Sequence, residues 1–305
     1  MRFGAQLINY VTTWENILST IEVIKTGLWD SLWFSDHFLP PAPGANIENL
    51  AALEGWSLIT ATAVLTNRLK LGILVTGNTY RNPALLAKMA ATVDQISGGR
   101  LILGIGASWY KREHEAFGWN FPSALERSDR LEEAVELIKT LFTAKGPVDY
   151  NGRYYKLNKA HFSPACTQQP HVPIMVGGNG EKRTLRTLAK FGDICNLDFN
   201  YPASPELFKH KMEVIESHCE DIGRDPAEIR KTIHIPLHLE SDEKKAAGIR
   251  KARGEWILCG TASFIINRIQ QYMEAGVEEI MFGGVPSKPE LYERINEEIL
   301  SSFNK

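Results

Sequence analysis

Apolar residues along this chain gather into short runs separated by segments with helical spacing. The runs are FGAQLI (3–8), SLWFS (31–35), LKLGILV (69–75), RLILGIG (100–106), IMVGG (174–178), DICNLDF (193–199), TIHIPLHL (232–239) and EIMFGG (279–284). Each has the length of a strand, and between them the apolar period lengthens to that of a helix. After Glu126, for example, Leu131, Val135, Ile138 and Phe142 fall on one face at steps of three and four. Asn82-Pro83 reads as an N-cap with proline in the first turn, and the ALLAKMAATVDQI that follows is apolar nearly all round, which predicts a helix packed on two sides.

Alternating strands and helices call for a parallel sheet, and eight strands call for its closure into a (β/α)8 TIM barrel. With no break in composition, residues 1–305 are expected to form one domain. The stretches 107–125 and 145–172 exceed ordinary connections and read as insertions at the carboxyl ends of the strands, where barrels place their chemistry.

Composition narrows the function classes. A hydrophobic content of 44% and a net charge of −2 fit a globular protein with no electrostatic attraction to nucleic acid or an anionic membrane. The opening MRFGAQLINY reads as a first strand and not as a signal peptide, and no run approaches membrane-spanning length, so a cytoplasmic protein is expected. Cys166, Cys195, Cys219 and Cys259 stand far apart without C-x-x-C or paired Cys/His spacing; they read as reduced, buried small hydrophobes, and no metal site is expected.

The residues behind each run carry the candidate chemistry. Behind the second, SDHF places Asp36 and His37 at the barrel mouth. There the histidine either exchanges hydrogen bonds and protons with a bound ring, its neighbouring carboxylate fixing the tautomer or holding a cofactor group, or it pins its own loop. Behind the third, VTGNTYRNP offers Thr76, Gly77 and Asn78, suited to the polar edge of a heterocycle or to an N-capping turn before Pro83. Behind the fifth, GGNGEKR runs toward a helix with Lys182 and Arg183 in its expected first turn. Cations there oppose the helix dipole, which favours an anion site over a tight turn with solvated charges. Gly260-Thr261 and Gly283-Gly284 are further candidate anion turns.

Behind the fourth run, GGRLILGIGASWY tests a different idea. A dinucleotide loop needs G-x-G-x-x-G opening directly into a helix, with a strand-borne carboxylate about 20 residues on. Here the third position is Trp109, and the YKREHEAFGWNFPS that follows has no helical apolar stripe. The aromatics Trp109 and Trp119, with Glu113 and His114 nearby, make either a wall for a flat ring or an insertion packed by its own rings.

Taken together, LWFSDHF, LVTGNTYRNPALLAKMAATVDQISGGRLILGIGASWYKREHEAFG and PIMVGGNGEKRTLRTLAKFGD resemble the bacterial luciferase-like superfamily, and within it the branch of coenzyme F-420 (F420)-dependent oxidoreductases. The resemblance spans nearly the whole chain. It implies a TIM barrel that binds a deazaflavin or flavin across the strand carboxyl ends. By position, Asp36 and His37 match the ring-side pair, and Ile73 to Thr76, with Leu74 and Val75, match a bulged third strand that tends to carry a non-proline cis peptide, at Ile73-Leu74 or Leu74-Val75. Gly106, Ala107 and Trp109 match the fourth-strand loop, its glycines expected to admit a flat ring. Gly177, Gly178, Asn179 and Gly180, with Lys182, match the phosphate-side turn. Two departures stand out: Ser108 replaces the second glycine of the family's G-A-G-W, and Trp109 stands where deazaflavin-dependent sugar-phosphate dehydrogenases carry a glutamate.

The resulting expectation is an oxidoreductase that transfers a hydride between F420 and a small organic substrate, with His37 as proton donor or acceptor and Asp36 and Asn78 among the cofactor contacts. The alternatives are an FMN-dependent monooxygenase that uses reduced flavin and oxygen, with a flavin or deazaflavin reductase as partner, and a non-catalytic flavin-binding protein. The likeness also implies a homodimer.

Overall fold

The computed structural model describes residues 1–41, 51–199 and 203–303. All eight apolar runs are strands: β1 (Arg2–Leu7), β2 (Ser31–Phe34), β3 (Lys70–Ile73, resumed at Thr76–Gly77), β4 (Leu101–Gly106), β5 (Ile174–Gly177), β6 (Ile194–Asp198), β7 (Arg230–Leu239) and β8 (Glu279–Gly283). Every neighbouring pair is parallel, and the sheet closes because Ile233 of β7 pairs with Leu197 of β6 on one side and Ile280 of β8 on the other, while Ala5 of β1 pairs with Phe282 of β8. The fold is a (β/α)8 TIM barrel.

Why this sequence closes so tightly is visible inside the barrel. Trp33, Leu74, Ile102, Met175, Ile194 and Met281 form an interior cluster separate from the core beneath the helices. Trp33 fits because glycines on both adjacent strands clear room for it: a Cβ on Gly4 of β1 would come within 2.9 Å of its Nε1, and one on Gly72, its partner on β3, would collide with its ring. At the amino-terminal floor, Trp33 Nε1 donates to Ser31 Oγ (2.7 Å), and that hydroxyl donates to the buried Glu279 (2.6 Å), which pairs with Arg230 (3.4 Å).

The helices follow their signals. Asn82 caps Pro83–Ser97 by accepting from Ala84 N (2.9 Å), and Gly98, in the left-handed region at φ 65°, ends it. This helix buries Leu86, Ala87, Ala90 and Val93 and packs against helix Gly55–Leu65 on one flank, helix Ala124–Thr143 on the other and β4 beneath, as its composition predicts, while Leu85 and Ile96 stay exposed. Helix Ala124–Thr143 buries Leu131, Val135, Ile138 and Phe142. The stretch 107–125 contains the short helix Lys111–Ala116, and 145–172 contains an antiparallel hairpin of Val148–Asn151 with Lys156–Ala160. All four cysteines are free and buried. No helix among the described residues is long and apolar enough to cross a membrane.

Candidate active site

The glycines that end β4 and β5 have a structural task. The Leu74–Val75 peptide, which interrupts β3, is cis. A Cβ on Gly104 would collide with the Ile73 carbonyl oxygen, and Cβ atoms on Gly106 and Gly177 would each come within 2.8 Å of the Val75 methyls. Three glycines on two strands thus clear the space that the interrupted strand occupies. The expectation that Gly106 admits a flat ring is refined: Gly104 and Gly106 first admit Val75.

Beside this bulge, the loop behind β3 is held by buried polar contacts. Thr76 accepts from Trp56 Nε1 (3.1 Å), and the Gly77 amide donates to Asp36 (3.0 Å). Asp36 is also gripped at both oxygens by Arg81 (2.7 and 3.0 Å), which reaches Glu54 as well (2.8 Å). Burial raises the Asp36 carboxyl above its usual range, opposed by the guanidinium; for Arg81, burial acts downward but the two carboxylates prevail and raise it. The bidentate geometry is that of an ion pair.

Asp36 therefore does not hold its neighbour His37, as adjacency suggested. Glu113 does. Its Oε2 faces His37 Nδ1 (3.2 Å) and accepts from Tyr80 OH (2.5 Å), while Oε1 accepts from Phe38 N and from Leu39 N (2.7 Å). Glu113 is wholly buried. Burial alone would push its carboxyl up, yet the contacts from His37, Tyr80 and Leu39 outweigh it and hold the group below the ordinary glutamate range. Burial and the Glu113 contact push the Tyr80 phenol well up, so it remains a donor. His37 Nε2 makes no hydrogen bond among the described residues, and the side chain is 15% exposed. Trp109 and Tyr110 meet the ring edge-on at 5.5 and 5.8 Å, and Trp109 is itself 59% exposed.

Ser108 adopts φ 68°, the region that favours glycine, and its hydroxyl is tied to Thr79 Oγ1 (2.7 Å), which also meets His114 Nε2 (2.6 Å). His114 is thus a buried structural ring. Ala107 is half-buried against the outer core, and Leu74 lines the barrel interior. Asn78 is buried with Nδ2 toward Tyr155 OH (3.3 Å) and Oδ1 without a partner among the described residues. It lines a cavity of about 740 Å³ together with Tyr80, Asn82, Trp119, Arg130 and Tyr155.

On the phosphate-side turn, Gly178 has φ 127° and its amide donates to Asn196 O (3.0 Å). Asn179 clamps the Asp198 backbone in both directions (2.7 and 3.1 Å). The helix begins at Thr184, so Lys182 and Arg183 precede it instead of occupying its first turn; Arg183 is paired with Asp129, whereas Lys182 is exposed. Two mouth residues went unnoticed in the sequence. His234 on β7 meets Gln6 Oε1 through Nε2 (2.8 Å) and Asp198 through Nδ1 (3.1 Å). A polar residue inside an apolar strand run was the available signal. No cluster suited to a metal occurs among the described residues.

The comparisons with known proteins agree with this barrel. The family model described as luciferase-like monooxygenase matches residues 4–279. The 5,10-methylenetetrahydromethanopterin reductase of Archaeoglobus fulgidus is 28% identical over 270 residues, covering 88% of this chain and 73% of the relative. The F420-dependent glucose-6-phosphate dehydrogenase of Kineococcus radiotolerans is 34% identical over 235 residues, covering 74% of this chain and 64% of the relative. An F420-dependent secondary alcohol dehydrogenase, solved with an F420-acetone adduct, superposes with a TM-score of 0.82 over 98% of both chains at 22% identity.

Proposed function

The chain belongs to the luciferase-like monooxygenase family, and from that premise we propose that it is an oxidoreductase transferring a hydride between F420 and a small organic substrate of the alcohol–carbonyl type. The observation that carries the reading is His37: a ring at a strand's carboxyl end, tied at Nδ1 and, among the described residues, open at Nε2, beside a glycine-cleared bulge. F420-dependent enzymes among the relatives support the cofactor.

The residues fit such a group. Asn78 Oδ1 is a buried acceptor awaiting a donor, which a deazaflavin ring edge supplies. Val75 and Leu74 would back the ring, Asp36 and Thr76 would keep that loop rigid, and Gly106 to Trp109 would border it. The turn Gly177 to Gly180 with the exposed Lys182 would receive the phosphate. When bound, F420 supplies the hydride chemistry, and the chain supplies position, a water-poor pocket and a proton partner. Phe38, Tyr80, Phe117 and Trp119 pack as one aromatic cluster behind His37 and keep bulk water from Glu113. His37 Nε2 then takes a proton from the substrate hydroxyl or returns one to the carbonyl oxygen. Leu85 and Ile96 on helix Pro83–Ser97 and Val64 on the helix before it, all exposed, support a homodimer.

The test is anaerobic reduction of F420 by a panel of small alcohols. Oxygen-independent turnover is expected; turnover that requires oxygen and reduced flavin would overturn the reading in favour of a monooxygenase.

A further inference from the structure

We propose that Glu113 is the positioning residue of this reaction: it holds His37 in the Nδ1–H tautomer, leaving the Nε2 lone pair for the substrate, and it balances the charge of the ring once a proton is taken up. The inference rests on the reading of His37 given above.

Four contacts converge on this one carboxylate. The backbone N–H groups of Phe38 and Leu39 can only donate, so they consume Oε1 and lock the carboxylate against the loop that bears His37. Oε2 is left for Tyr80 OH and His37 Nδ1. An ionised carboxylate only accepts, so Nδ1 must carry the hydrogen and Nε2 must be the base.

No competing group among the described residues reverses this. Asp36, next to His37 in sequence, has both oxygens on Arg81 and receives Gly77 N as well. From the loop behind β4, Trp109 and Tyr110 present ring edges. From the loop behind β3, Tyr80 is spent on Glu113 itself. Because Glu113 is buried, its charge acts on the ring with little solvent screening.

The proton balance follows. When bound, oxidised F420 would supply the hydride acceptor; the substrate hydroxyl would give its proton to Nε2 as the carbonyl forms, and Nε2 would release that proton to solvent once the product leaves. The imidazolium donates from Nδ1 to Glu113, which stays ionised throughout. In reverse, Nε2 returns the proton to the oxygen of the carbonyl as it receives the hydride.

Glu113→Gln tests the assignment because it preserves shape. Its amide oxygen would stay on the Phe38 and Leu39 amides, and its NH2 would then face His37 Nδ1, which would have to accept. Nitrogen-15 NMR of the histidine-labelled protein, with the His37 signal identified by its loss in His37→Ala, reads the tautomer without substrate or cofactor. The wild type should show Nδ1–H. Glu113→Gln should show Nε2–H, with kcat lowered about 10²- to 10⁴-fold and KM within about threefold, since no substrate contact is removed. Tyr80→Phe, a milder change, should keep Nδ1–H and lose less than about tenfold in kcat, the scale of one hydrogen bond.

A wild-type ring in the Nε2–H form, which needs no variant to fold, would overturn the proposal, and so would Glu113→Gln retaining Nδ1–H, however low its activity. A tautomer switch with unchanged turnover would support Glu113's control of the ring and remove the catalytic role of His37 instead.

Discussion

Two histidines stand at the barrel mouth, three strands apart, and are held differently. His234 is engaged at both nitrogens, by Asp198 from β6 and Gln6 from β1, and so ties three strands together. Among the described residues His37 is engaged at Nδ1 alone, through a carboxylate brought in by the insertion behind β4. A ring bonded on both sides must break a contact to exchange a proton; a ring bonded on one side need not. The two share a residue type and a place at the mouth, and the difference in their partners is the ground on which we propose structure for one and chemistry for the other.

The sharpest way to break this comparison is to remove each ring. His37→Ala should lower kcat about 10²- to 10⁴-fold, the usual loss of a general acid–base. His234→Gln should keep kcat within about tenfold and lower thermal stability instead. Steady-state kinetics and melting curves on both variants decide it, and equal kinetic losses would erase the distinction.

Next in size is the Arg81 clamp, which keeps Asp36 occupied and away from His37. Arg81→Ala would strand the buried Asp36 carboxylate and should cost about 3 to 5 kcal/mol, measured by urea unfolding. A loss below about 1 kcal/mol would mean that the pair is not the clamp described here.

Glu113 gives the comparison a pH signature. Its folded-state value lies below that of an unfolded glutamate, so its stabilising contribution is complete above the unfolded value, about 4.3, and is lost as pH falls through the lower folded one. Urea midpoints should therefore fall more steeply below pH 4.3 for the wild type than for Glu113→Gln. The smallest effect is expected at Ser108. Glycine there would relieve a left-handed backbone by about 1 kcal/mol and forfeit a hydroxyl contact to Thr79 of about the same size, so Ser108→Gly should change stability by less than about 1 kcal/mol.

How much of this was legible in the sequence depends on range. The strands and the helix starting at Pro83 were readable because apolar period and capping are local properties. The positions of Asp36 and His37 followed once the strands were placed. Their partners did not: Glu113 lies 76 residues from His37 and Arg81 lies 45 from Asp36, separations over which no periodicity speaks. Adjacency pointed to Asp36 as the ring's partner because nothing local showed that Arg81 already occupied it. The glycines of β4 were seen, but what they make room for, Val75 from a neighbouring strand, is a fact of packing. Gln6 and His234 were hidden by the apolar runs that carry them.

Whether the mouth around His37 accepts a deazaflavin is measured directly by titrating the apoprotein with F420 and with FMN under identical conditions, followed by fluorescence. F420 should bind at least about tenfold more tightly, a difference of about 1.4 kcal/mol. Tighter binding of FMN would contradict the proposal of F420 as the cofactor.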